Sequence, residues 1–166
     1  MALTGKTALI TGSSRGIGRG IALKLAECGV KIAIHYYAHE AFAKDTLSKA
    51  RASGSDGFIL QADVTKPEEI RKMMDRVESE FGKLDILVSN ARPELTEFYQ
   101  PPMQIGLPQF RSAMDSQAQA FLLEVQLGAK IMPDHSRIIA ISYSPSGHTG
   151  SWQPWVAMGA AKAAMD

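Results

Sequence analysis

Thr11-Gly12-Ser13-Ser14-Arg15-Gly16-Ile17-Gly18 decides how the rest of this 166-residue chain is read. An apolar, strand-like run, Thr7-Ala8-Leu9-Ile10, precedes it, and Ile21-Ala22-Leu23-Lys24-Leu25-Ala26 follows with apolar residues at helical spacing. The glycines therefore fall on a turn between a buried strand and a helix. Glycine supplies the backbone angles of a sharp turn and lets main chain come close to a ligand. The helix start then offers unpaired N–H groups and the positive end of its dipole, which suits a phosphate. In this strand–turn–helix setting the G-x-x-x-G-x-G spacing points to a phosphate-binding loop rather than to turn chemistry alone.

Strand-like and helix-like segments alternate outward from this loop. The expected strands lie at residues 7–11, 31–36, 57–61, 86–90 and 137–142. Between them, helices are expected from Glu40 to Ser53, from Thr65-Lys66-Pro67-Glu68 (a capping box) to Phe81, from Gln109 to Lys130, and over Trp155–Asp166. Pro93 to Pro108 reads as a loop and Ser144 to Gly150 as a polar, Gly-rich segment. Such alternation requires parallel strands joined by right-handed crossovers. The expected fold is α/β, a doubly wound parallel sheet in the order 3-2-1-4-5, with a ligand crevice between the first and fourth strands. Residues 1–166 form one dinucleotide-binding domain in this reading.

Composition narrows the class. Hydrophobic residues make up 45% and charged residues 21%, as in an ordinary globular protein, and the net charge of +1 argues against a nucleic-acid surface. No apolar run approaches the ~18 residues of a membrane helix. Thr4, Gly5, Lys6 and Thr7 interrupt any signal-peptide core, so a cytoplasmic location is the default expectation. Cys28 stands alone and reads as a buried, inert thiol. The four histidines are scattered, and no metal site is expected.

The T-G-x-x-x-G-x-G pattern resembles the short-chain dehydrogenase/reductase family, whose Rossmann-type three-layer sandwich holds NAD or NADP. Gly12, Ser14, Arg15, Gly16, Ile17 and Gly18 are the loop residues expected to meet the cofactor. At the ribose end of such folds an acid suits NAD and a basic group suits NADP. Here the second strand ends in His35-Tyr36-Tyr37-Ala38-His39, with no acid before Glu40, and Arg15 adds a cation nearby. This resembles the NADP-preferring members, so NADP(H) is the expected cofactor, with His35 and Tyr36 at its edge. The resemblance also implies that Asp63-Val64 lie along the adenine. Asn90 and Ala91 match the family's N-N-A-G, while Ser89 replaces the first Asn and Arg92 the Gly. Gln117 stands where the family carries an Asn that supports a proton-relay water.

The resemblance changes where chemistry belongs. The family places a Tyr four residues before a Lys, one helical turn away, so that the Lys holds the ribose and lowers the Tyr pKa. Lys162 is present, but Met158 stands four residues before it. In enoyl-acyl-carrier-protein reductases the Tyr comes seven residues earlier and M-G-x-x-K follows. Met158-Gly159-Ala160-Ala161-Lys162 resembles that, yet Trp155 occupies the seventh place. Neither Met nor Trp donates a proton near neutral pH. Ser142-Tyr143 resembles the S-Y after the fifth strand of that branch, so Tyr143 is the candidate proton donor, with Ser142 or Ser144 assisting and Lys162 beside them. The expected function is reduction of a carbonyl or enoyl small molecule, an acyl thioester among the candidates, by an oxoacyl- or enoyl-carrier-protein reductase relative. The alternative is a catalytically silent dinucleotide-binding subunit or sensor. The family's sheet continues with two more strands, so the chain is expected to be an incomplete domain with C-terminal strands missing. It is also expected to pair as a homo-oligomer through the 109–130 and 155–166 helices.

Overall fold

The computed structural model describes residues 3–94, 99–143 and 155–166. β1 (Thr7–Ile10), β2 (Lys31–Tyr36), β3 (Gly57–Gln61), β4 (Ile86–Ser89) and β5 (Arg137–Ala140) form one sheet in the order β3-β2-β1-β4-β5. Every neighbouring pair is parallel, as expected from the sequence. The helices are α1 (Gly16–Glu27), α2 (Glu40–Ala52), α3 (Pro67–Phe81), α4 (Leu107–Met114), α5 (Ala120–Gly128) and α6 (Val156–Met165). None of the described helices is long and apolar enough to cross a membrane.

β1 and β4 are apolar almost throughout because both faces are covered, and every residue in them is buried. Successive strand residues point to opposite faces. Ala8 and Ile10 pack with Ile32, Ile34 and the Ala22, Ala26, Ala43 and Leu47 side chains of α1 and α2. Leu9 and Leu87 pack on the other face with Ile70, Met73, Met74 and Val77 of α3 and Ala120 of α5.

The amino ends of β1 and β4 are clasped by Asp85. Its carboxylate accepts from Lys6 Nζ at 2.7 Å, from the Thr7 N–H at 3.0 Å and from Thr7 Oγ1 at 3.2 Å, with Lys83 Nζ at 3.1 Å. Burial opposes the charge, but these donors win and hold the pKa at about 2. The carboxyl ends of the same strands are left to build a site.

Several local expectations shift. β1, β4 and β5 stop at Ile10, Ser89 and Ala140, one or two residues early, because the next residues turn into the loops of the site. Thr65 does not cap α3: its N–H and hydroxyl both go to Asp63 Oδ1, at 3.0 and 2.7 Å. Glu69 Oε2 instead takes the Asp63 N–H at 2.6 Å. The long helix expected over Gln109–Lys130 is broken by a π-helical stretch, Asp115–Gln119, between α4 and α5. Cys28 is free but half-buried rather than enclosed.

Candidate dinucleotide site and active site

The loop after β1 is held from three sides. Thr11 donates its N–H to the Val88 carbonyl at 3.0 Å. Thr11 Oγ1 accepts the N–H groups of Asn90 (2.9 Å) and Ala91 (3.1 Å), and Asn90 Nδ2 donates to the carbonyls of Thr11 (2.8 Å) and Gly12 (3.2 Å). Gly12 has φ +64°, and a Cβ there would lie 2.9 Å from the Ala91 Cα. At Gly18 a Cβ would stand 2.5 Å from both Asn90 Nδ2 and the Gly12 oxygen. Gly18 therefore seats α1 against the loop, outside the residues that line the cleft.

His35 is the third support. Its Nδ1 accepts the Gly12 N–H at 2.8 Å and its Nε2 lies 2.9 Å from the Ala62 carbonyl. An amide can only donate and a carbonyl only accept, so the ring is neutral with its proton on Nε2. Burial pushes its pKa down to about 4, against the pull of the Ala62 carbonyl and the Asp63 charge. His35 lines the cleft, yet both nitrogens are committed to main chain, so it shapes the loop and has no nitrogen left for a phosphate. Tyr36 lines the cleft while remaining only 8% exposed, and Tyr37 beside it is 65% exposed at the rim. Strand alternation, which turns neighbouring side chains to opposite faces, was the signal for Tyr37.

The start of α1 has no side-chain cap and no acid in its first turn. Thr46 Oγ1 of α2 fixes the loop by donating to the Ser14 carbonyl at 3.1 Å. Arg15, at the cap position, pairs with Glu94 across the cleft mouth. Gly16 and Ile17 line the cleft, and Ile17 is 68% exposed there. Asp63 and Val64 line it beyond His35. Burial works against the Asp63 charge, but Thr65 and Lys66 hold its pKa below the usual carboxylate value.

The other end of the cleft joins Ala91, Arg92, Ser112, Ser116, Ile141, Tyr143 and Lys162. Gln117, on the π-helical stretch, donates from Nε2 to the Ala91 carbonyl at 2.9 Å. A π turn carries one residue more than an α turn and re-aims the side chains on it, a device found often at functional sites. Lys162 of α6 is 5% exposed, donates to the Ile141 carbonyl, and has its Nζ 5.8 Å from the centre of the Tyr143 ring. Burial lowers its pKa to about 8; Asp166 and Glu124 pull it upward and Arg92 pushes it further down. The Tyr143 ring also packs 5.0 Å from that of Trp155. Burial raises the Tyr143 pKa, with Arg92 opposing. Ser142 Oγ is buried behind the wall and has no partner among the described residues. Met158 is fully buried. Ser144 lies outside the described residues.

The whole cleft measures about 690 Å³, within the range of ligand sites. The uncapped helix start, the close main-chain approach at Gly12, the exposed Ile17 and the buried ammonium of Lys162 together fit a dinucleotide laid from Asp63 to Tyr143. Glu124 went unnoticed in the sequence. Its signal was a single acid inside the apolar run Ala120-Phe121-Leu122-Leu123-Glu124-Val125.

A parallel sheet with its crevice outside the carboxyl ends of β1 and β4, where the strand order reverses, defines a doubly wound nucleotide-binding protein. A family model described as enoyl-(acyl carrier protein) reductase matches residues 12–166. The chain belongs to that family, within the short-chain dehydrogenases/reductases. It is 46% identical over 86 residues to the 3-oxoacyl-acyl-carrier-protein reductase FabG of Staphylococcus aureus, a match spanning 52% of this chain and 35% of that one. Reductase LugOII, which catalyses keto-reduction at C1 in lugdunomycin biosynthesis, superposes with a TM-score of 0.87 at 35% identity, over 99% of this chain and 68% of its own. A short-chain dehydrogenase from Burkholderia cenocepacia, solved with NADP, gives 0.90 at 31% identity, over 99% and 66%. The chain thus spans about two thirds of these solved relatives, and its match to FabG about a third of that protein's length.

Proposed function

We propose that the chain is the cofactor-binding part of an NADPH-dependent reductase acting on the carbonyl or enoyl group of a small molecule, an acyl thioester first among them. The observation that carries this reading is the buried Lys162 ammonium beside the Tyr143 ring at one end of the cleft. Bound NADPH would supply the hydride. The start of α1 would take the pyrophosphate, and Arg15 would exchange Glu94 for phosphate charge. The lack of an acid among residues 35–39 supports NADP over NAD. Lys162 would hold the ribose hydroxyls. Tyr143, whose raised pKa keeps its hydroxyl protonated at neutral pH, would hold the proton due to the substrate oxygen or the enolate, with Ser142 or Ser144 assisting. The relatives that reduce 3-oxoacyl and keto groups support the substrate class. Exposed Leu122, Ile138 and Ile139 support self-association as the quaternary state.

One observation favours a second reading. Met158, where the family has its Tyr, is fully buried, which suits a protein that binds the dinucleotide without turnover. Titrating NADPH and NADH by tryptophan fluorescence, then offering oxoacyl and enoyl thioesters, separates the two. The reductase reading expects tighter NADPH binding, turnover, and a loss of about 10²–10⁴-fold in Tyr143→Phe. A loss below about tenfold removes Tyr143 from proton transfer on that scale. NADPH binding without turnover across the panel selects the silent reading.

A further inference from the structure

Arg92 stands where the family's pattern has a glycine, directly after the Asn90-Ala91 pair. The main chain just before it is clamped from two sides. Thr11 Oγ1 accepts the Ala91 N–H at 3.1 Å, and Gln117 Nε2 donates to the Ala91 carbonyl at 2.9 Å. The side chain therefore starts from a fixed point beyond the carboxyl end of β4, and its Nη1 donates to the Pro93 carbonyl at 2.9 Å. It lines the cleft at the Tyr143 end, together with Lys162, Ser112 and Ser116. A guanidinium presents a planar fork of N–H donors that matches the paired oxygens of a carboxylate or phosphate.

This end of the cleft is cationic. Arg92 and Lys162 line one cavity, and the Arg92 charge disfavours the Lys162 ammonium. The two acids that line the cleft are engaged elsewhere along it. Asp63 Oδ1 accepts from the Thr65 N–H and hydroxyl, with Lys66 Nζ 3.5 Å from its other oxygen, and Glu94 pairs with Arg15. Like charges facing one cavity repel, and a bound anion relieves that repulsion. The cofactor's phosphates have their own place, at the start of α1. We propose that Arg92 binds an anionic group of the substrate, a carboxylate or a phosphate. The cleft then selects carbonyl or enoyl compounds that carry an acid within a side chain's reach of the reacting group; among acyl thioesters, those with an acid on the acyl chain. The inference rests on the reductase reading, since it names the substrate class for that same site.

The test reads binding and needs no turnover. Acetoacetate and its uncharged methyl ester are titrated calorimetrically into the NADP-loaded protein. A second pair, 2-oxopropylphosphonate and its dimethyl ester, stands in for a phosphate. At least one acid should bind about fivefold or more tighter than its ester, the worth of an exposed charge pair, and a preference confined to one pair names the anion. Arg92→Gln should bring that acid down to the level of its ester and leave ester and NADPH binding unchanged. Arg92→Lys, which keeps the charge but not the fork, should retain part of the preference. Acids and esters that bind alike, or not at all, overturn the proposal, and so does a preference that survives Arg92→Gln. Weaker NADPH binding in Arg92→Gln assigns the guanidinium to the cofactor and overturns it as well. A preference for the acid with no reduction of any probe by NADPH would count against the reductase reading alone.

Discussion

A single imidazole decides the shape of the phosphate loop. His35→Phe would leave the Gly12 N–H and the Ala62 carbonyl without their partners, and each buried orphan costs about 1–3 kcal/mol. The expected outcome is a lower melting temperature and weaker NADPH binding, read by calorimetry and fluorescence titration. The wild-type bond also carries a pH signature. The folded His35 refuses a proton until about pH 4, while the unfolded one accepts it near 6.5. Its contribution is therefore complete above 6.5 and falls away as the pH drops toward 4. Glu124, 1% exposed, has the opposite sign: burial lifts its folded pKa to about 7, above the ordinary 4.5, so it costs stability as the pH rises through that interval. Glu124→Gln should thus melt closer to wild type at pH 5 and above it at pH 8; the reverse order would contradict the burial argument. The glycines, Asn90 and Lys162 were legible in the sequence because each stands in a short motif. The inward turn of His35 was not, since its partners, Gly12 and Ala62, lie 23 and 27 residues away.

Between α4 and α5 the sequence reads as one uninterrupted helix. An apolar pattern with a 3.6-residue period does not reveal one surplus residue, so the π-helical stretch at Asp115–Gln119 left no local mark. The bond from the Asp63 N–H to Glu69 ahead of α3 was hidden for a similar reason: the two are six residues apart, a spacing that belongs to no capping motif. Deleting Ala118 should restore regular α geometry. Each residue turns a helix by about 100°, so Gln117 would rotate away from the Ala91 carbonyl while the flanking helices persist. The expected result is an unchanged far-UV circular dichroism spectrum with NADPH binding or turnover weakened by up to about tenfold, the worth of one hydrogen bond. Full retention of both would show that the bulge has no bearing on the cleft.

The overall sheet was legible because alternating strand and helix signals leave few topologies. What the pattern could not show is how unevenly the sheet is fastened. β1 and β4 are tied at their amino ends by Asp85, Thr7, Lys6 and Lys83, and at their carboxyl ends by Thr11 and Asn90. The held-down pKa of Asp85 keeps the first tie charged until the pH falls below 3.8 toward 2. β5, by contrast, has Ile138 and Ile139 exposed. A cleft whose two inner walls are riveted together opens only through its outer loops, and the difference has a time signature. In deuterium oxide the amide hydrogens of Leu9, Ile10, Leu87 and Val88 should be the last to exchange, released only when the entire molecule unfolds, whereas those of Ile138 and Ile139 should exchange early through local fluctuations of the edge.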